Sequence, residues 1–336
     1  MIDKNDFLRN VVMAFHSFDY SYNQLYRYVD KKEFEDLFGN NEIIFTNPRN
    51  WKGTDSYETY FEEWWFSKER LLAAYRQTKK VIDWKHSHFD IDNRQLYKSV
   101  FSQIVACIAL LQQKSFCYCL ADNYTDKRMV SEYHKKYGRN IIIKYKPYFF
   151  QTIATLKDIQ FIPRGGPSLY ADVFPMFYVD SFEQFIESTI KEDGRLDIDR
   201  FTKLFLELGA FLKHSNFRYE HEVRMKLKIM LPHEMSSMLI SDIYNQIYTI
   251  NDEGKIIDVC MRILSENEKI FNSIYDEIGD KIIVKDKEKE YFKLNLSRED
   301  INKIIDCILI YDGISNEELA CVTKYCTEYN LPQYKI

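Results

Sequence analysis

The stretch Phe217-Arg218-Tyr219-Glu220-His221-Glu222-Val223-Arg224-Met225-Lys226-Leu227-Lys228-Ile229 alternates apolar or aromatic residues with charged ones at every second position. An extended strand sends successive side chains to opposite faces. The pattern therefore predicts one face of Phe, Tyr, His, Val, Met, Leu and Ile, and another of Arg218, Glu220, Glu222, Arg224, Lys226 and Lys228. A chain containing it has to build a sheet with one side to bury. The charged face admits two readings. It is the solvated side of an ordinary antiparallel sheet, its arginines neutralising its acids. Alternatively, the paired carboxylates Glu220 and Glu222 hold a ribose hydroxyl and stabilise an oxocarbenium-like transition state.

Around this stretch, further strands are predicted at 25–29, 42–46, 115–120, 140–145, 170–179, 281–284, 291–294 and 307–311. Helices are predicted at 3–18, 30–37, 57 into the seventies, 94–112, 125–136, 182–190, 197–213, 234–249, 255–276 and 317–329. Asp30 and Ser297 serve as helix caps, and Gly39 and Gly138 as helix stops. The elements mix without a regular βαβ rhythm, which predicts an α+β fold. Its mixed or antiparallel central sheets would be split by helical insertions at about 54–112 and 234–276, all within a single domain spanning 1–336.

With 46% hydrophobic residues in 336, the chain can bury a substantial core. A formal net charge of −5 gives no global basic field for nucleic acid. The seven cysteines are odd in number and include no Cys-x-x-Cys pair, so reduced, mostly buried thiols are expected. Histidines and cysteines are not grouped at zinc spacings, and no metal is expected. Met1 to Asp6 lacks a signal-peptide pattern, and the apolar helical stretch Val100 to Leu111 is too short to span a bilayer. A soluble, cytoplasmic protein without a membrane partner is expected. There is no phosphate-binding loop, dinucleotide Gly-x-Gly-x-x-Gly, Gly-x-Ser-x-Gly elbow or His-Glu-x-x-His.

Three other groups carry chemistry. Arg27, between Tyr26 and Tyr28, could clamp a diphosphate with its planar fork, or simply be a surface arginine on a half-buried strand. The Asn50 to Glu58 loop offers Trp51 as a platform for a base, or as a core plug where a helix starts. Tyr133-His134 could face a ligand in a cleft, or cap the end of a helix with charge.

Several motifs occur in a set order. They are Leu25-Tyr26-Arg27-Tyr28, Ile43 to Pro48, Asp55 to Glu58, Cys119-Leu120-Ala121, the helix around Met129 and Tyr133, and Gly138 to Ile143. Tyr219, Glu220, Glu222 and Arg224 follow, and Ile304 to Ile310 closes the set. This order resembles a bacterial family known as domain of unknown function 2971, over roughly residues 25–335. Many of that family's members occur in mobile or phage-defence neighbourhoods. The chain departs from it at Ala121, where the family usually has Ser, and at Met129, where Trp is common. The layout is also similar to that of the ADP-ribosyltransferase superfamily and implies such a core, with NAD as substrate. By that analogy Arg27, beside Tyr26, would bind the NAD diphosphate or ribose, and Tyr133 would pack on nicotinamide. Glu222 would hydrogen-bond the nicotinamide ribose, and Glu220 would orient or deprotonate an acceptor in a nucleic acid or protein. The resemblance implies a toxin or phage-defence effector. Ala121 and the helical insertions suit instead a catalytically inactive sensor or binding module with a defence-system partner. A nuclease using Asp55 and Glu58 to hold Mg²⁺ is a third alternative.

Overall fold

The computed structural model describes residues 24–51, 67–86, 93–111, 115–159, 168–180, 212–230, 233–277, 282–285 and 289–336. The fold is mixed α and β, with ten strands in one sheet and several helices around it. Elements are numbered here in chain order. The sheet strands are β1 (Leu25–Val29), β2 (Glu42–Thr46), β3 (Phe116–Ala121), β4 (Ile141–Tyr145), β5 (Ser168–Pro175), β8 (Glu222–Met230), β9 (Ile282–Lys285), β10 (Lys289–Asn295), β11 (Ile305–Ile310) and β12 (Gln333–Lys335). β6 (Phe177–Val179) and β7 (Leu212–His214) form a separate parallel ribbon. β12 joins β11 in parallel, and all other pairings in the large sheet are antiparallel.

The sheet divides at β3. β8 pairs with β3 along its length, from Phe116↔Leu227 to Ala121↔Glu222. The opposite edge of β3 is shared by two wings. The wing β12-β11-β4-β1 meets it through Tyr26↔Ala121, and the wing β9-β10-β2 meets it through Thr46↔Cys117. Between those two points the wings diverge and the middle of β3 faces a gap.

One face of the sheet buries Leu25, Val29, Ile141, Ile143, Val223, Met225 and Leu227 beneath α1 (Lys31–Phe38), α4 (Phe149–Lys157), α7 (Arg298–Ile304) and α8 (Asn316–Tyr329). α1, α7 and α8 each start with a capping box, Asp30 with Glu33, Ser297 with Asp300 and Ser315 with Glu318. The opposite face of β1, β4 and β11 buries Tyr26, Tyr28, Ile142, Cys307 and Leu309 against Met129. A second core joins α2 (Lys68–His86), α3 (Asn93–Leu111), α5 (His233–Ile247) and α6 (Glu253–Glu277), with Phe174 from the end of β5 and Met176 just beyond it. The described parts of the two predicted helical insertions therefore pack on each other. No described helix is long and apolar enough to cross a membrane.

Several predicted elements are corrected. The alternating stretch is not one strand. Ser215–Glu220 forms a 3₁₀ turn, His221 takes a left-handed conformation at φ 47°, and β8 begins at Glu222. The predicted strand 170–179 breaks at Met176, whose N–H bonds to the Glu222 carbonyl. The end of the predicted helix 197–213 is β7; the rest of it lies outside the described residues. So do the helices at 3–18 and 182–190, and Asp55 and Glu58. α4 and β12 carry no expectation from the sequence.

Candidate functional site: a cleft where the sheet divides

The gap along β3 opens into a cavity of about 550 Å³. That volume lies within the range of small-molecule sites. Six of the residues singled out from the sequence, Tyr26, Arg27, Trp51, Tyr133, Glu220 and Glu222, line it. The register explains part of this convergence. Tyr26 pairs with Ala121 and Ala121 with Glu222, so the three side chains share one face across three strands.

Arg27 points to the face opposite Tyr26 and Tyr28, into the gap itself. Its guanidinium lies 4.4 Å from the centre of the Tyr118 ring, and Nη1 donates to the Cys119 carbonyl at 3.0 Å. A continuous ladder would have paired that carbonyl with backbone, so the arginine completes the broken edge. Nη2 donates to Glu33 at 3.3 Å. Burial opposes the Arg27 charge, but the Tyr118 and Glu33 groups outweigh burial and raise its pKa. The other Glu33 oxygen pairs with Arg139 at 3.3 Å. Arg139 also donates to the Tyr28 carbonyl.

Arg139 and Tyr133 come from one irregular segment. Asp126 caps a short α-helical turn, Lys127–Met129, which widens into the π-helix Val130–Lys136. π-Helical turns recur at functional sites. Gly138, at φ 65°, then turns the chain so that Arg139 comes back toward β1. Tyr133 packs against Tyr28 with centroids 5.4 Å apart, and its hydroxyl donates to Glu220 Oε1 at 3.2 Å. Burial, then the Glu220 charge, pushes the Tyr133 hydroxyl well above its ordinary pKa. His134 stacks on Tyr311 at 4.2 Å and contacts Asn140, outside the cavity lining.

The charged face of the alternating stretch is wet only toward its ends, where Arg218 is exposed and Lys228 half-buried. Glu220, Glu222, Arg224 and Lys226 are all buried. Arg224 donates through Nε and Nη2 to Glu222 Oε1, at 2.9 and 2.6 Å, and its guanidinium lies 4.9 Å from the centre of the Trp51 ring. Lys213 Nζ reaches Glu220 Oε2 at 2.6 Å and Glu222 Oε2 at 3.0 Å. The Glu222 N–H donates to the Tyr178 hydroxyl. The β6–β7 ribbon, which carries Tyr178 and Lys213, thus closes over the charges. Burial alone would raise the Glu222 pKa, but Arg224 and Lys213 overcome it and hold the carboxyl well below the usual range. Left-handed His221 lies 3.7 Å from both Asp122 and Asp126 and turns the chain between the two glutamates.

Lys213, Arg139 and Glu33 were not anticipated as site residues. Lys213 fell at the end of a predicted helix, and Glu33, on which the sequence raised no expectation, also completes the Asp30 capping box. The one available signal was Gly138, a helix stop placed directly before an arginine.

Within the described residues the cavity gathers Arg27, Arg139, Lys213 and Arg224 against Asp30, Glu33, Glu220 and Glu222, among Tyr26, Tyr28, Trp51, Tyr133, Phe217 and Tyr219. Aromatic faces can stack on a base, guanidinium groups can grip phosphate oxygens, and carboxylates can accept from ribose hydroxyls. Among the described residues, no group of His, Cys, Asp and Glu has the arrangement of a metal site. Comparison with protein-family models, curated proteins and solved structures finds no match for this chain.

Proposed function

We propose that the cleft binds NAD and that the protein is an ADP-ribosyltransferase-like effector, of toxin or phage-defence type, modifying a nucleic-acid or protein acceptor. The single observation behind this reading is that Arg27 and the Glu220–Glu222 pair line one cavity with Tyr133. Arg27 reaches this cavity through the gap, from the face of β1 opposite to the one that Tyr26 shares with Glu222.

On this reading the bond between nicotinamide and ribose C1′ breaks, and nicotinamide leaves with the electron pair. The acceptor then bonds to C1′ and releases a proton. Glu222, kept ionised by its cations, accepts from a ribose hydroxyl and stabilises positive charge growing at C1′. Arg27 and Arg139 face the diphosphate, with Tyr26 beside Arg27. Tyr133 and Trp51 supply stacking faces, and Glu220 orients the acceptor.

One observation favours an inactive binding module instead. Both Glu222 oxygens are already held, Oε1 by Arg224 and Oε2 by Lys213, and Ala121 offers no hydroxyl beside them. The two readings part on the Glu222→Gln variant. Incubation with labelled NAD and cell extract should give nicotinamide release and labelled macromolecule from the wild type, and neither from Glu222→Gln. Binding of NAD that survives the substitution, with no turnover by either protein, supports the binding module. Absence of both NAD binding and NAD cleavage refutes both NAD-based readings.

A further inference from the structure

We infer that Lys213 is a positioning residue that keeps Glu220 and Glu222 doubly ionised and fixes the distance between them. One ammonium nitrogen lies within 2.6 Å of a Glu220 oxygen and 3.0 Å of a Glu222 oxygen. Its side chain is 8% exposed, and the two carboxylates are 10% and 6% exposed. Two carboxylates that close in a buried setting cannot both ionise unaided, and one of them takes up a proton. Arg224 is a second cation, but its contacts here are with Glu222 Oε1. Lys213 is the group seen bridging the two acids.

Among the described residues, three further groups face the pair, and none of these three carries a positive charge. From the π-helix Tyr133 gives Glu220 a neutral hydroxyl. From β6 Tyr178 accepts from the Glu222 backbone. From β3 the Cys119 thiol helps to hold the Glu222 pKa down. Phe217, in the 3₁₀ turn, has its ring centre 5.0 Å from Nζ and adds a cation–π contact to Lys213.

The consequence is a site whose carboxylates do not change charge across physiological pH. Loss of the ammonium should raise the proton affinity of the pair by about two pH units, because its attraction for both carboxylates is removed while their mutual repulsion stays. In catalysis this inference rests on the transferase reading, because the pair's charge matters there for ribose binding. Its ionisation does not depend on that reading and is tested without NAD.

Thermal melts of wild type, Lys213→Met and Lys213→Arg from pH 4 to pH 8 provide the test. In Lys213→Met the folded pair holds a proton more tightly than the unfolded chain. Stability is therefore lost as pH rises through the new folded pKa. The gap to wild type should widen from pH 4 to pH 8, and Lys213→Arg should largely close it. A gap of constant size, or one closed by neither charge nor pH, overturns the proposal and leaves Lys213 a packing residue. If Lys213→Met does not fold, carbon NMR of glutamate-labelled wild type decides. Two buried carboxylates ionised down to pH 4 support the proposal, and a buried glutamate titrating above pH 5 refutes it. NAD turnover, where present, should show its acid limb moved up by the same two units in Lys213→Met.

Discussion

Glu222→Gln tests whether the charged face of β8 is a buried ionic network or a solvated surface. The change preserves volume and removes one charge. It leaves the Arg224 guanidinium, with a side chain 1% exposed, facing a neutral amide in place of a carboxylate 2.6 Å away. Removing one partner of a buried pair costs about 3–5 kcal/mol, because the remaining charge stays desolvated. Unfolding entropy of about 2.1 cal/mol/K per residue makes one degree worth about 0.7 kcal/mol for this 336-residue chain. A fall in melting temperature of about 4–7 °C follows. The pH dependence carries a definite sign. The Glu222 pKa is lower in the folded chain than its ordinary 4.5. Its contribution is thus fully present above that pH and fades by about 1.4 kcal/mol per pH unit below it. Urea unfolding followed by circular dichroism at pH 7 and pH 3.5 should show a large deficit in Glu222→Gln at pH 7 and a smaller one at pH 3.5. The double variant Glu222→Gln/Arg224→Met removes the stranded charge and should recover much of the loss, since apolar replacement of a buried pair is often close to neutral. A deficit below about 1 kcal/mol that ignores pH would match an exposed surface pair and refute the buried-network account.

Tyr133→Phe keeps the ring against Tyr28 and deletes the hydroxyl that donates to Glu220. It should cost about 1 kcal/mol in urea unfolding. Gly39→Ala would bring a Cβ within 2.6 Å of the Tyr325 hydroxyl and 2.8 Å of the Glu35 carbonyl. Part of that contact is backbone, so a loss of about 1–3 kcal/mol is expected by thermal melt, while Tyr325→Phe in the same chain should relieve only part of it. Burial pushes the Cys326 thiol up to about 11, and it should resist iodoacetamide at pH 8 in the folded protein, reacting once urea unfolds it. Fast labelling of Cys326 in the native state would show that α8 does not pack as described.

Much of the fold follows from local rules that tertiary context did not override. β1 and β2 coincide with their apolar runs, and α1 starts directly after Asp30 because both halves of a capping box are present. α5 and α6 match their helical periodicity to within two residues at each end. What could not be read is set by long-range contacts. The alternation from Phe217 to Ile229 satisfies a strand everywhere, yet the chain turns at His221, where two acids from elsewhere in the sequence, Asp122 and Asp126, sit beside the ring. The burial of Glu220 to Lys226 depends on the β6–β7 ribbon closing over that face, and no residue within the stretch reports that cover. Lys213 is the clearest case. Its role comes from two glutamates, seven and nine residues away in sequence, meeting at one nitrogen.

The same contrast bears on why the charges are there. A strand whose pattern suits a wet surface has instead been covered, with Lys213, Glu220, Glu222 and Arg224 buried together beside the division of the sheet. Burying four charged groups costs more than burying apolar side chains of similar size, and their mutual attraction does little more than offset it. Sheet register does not demand them, because Val223, Met225 and Leu227 already fix β8 against the main core on its other face. Arg27 repeats the logic in the gap between β1 and β3, where a side chain supplies the donor that a backbone ladder would have given. Stability explains neither placement. Both lie on the walls of one cavity, and local conflict with global packing concentrates where function is built.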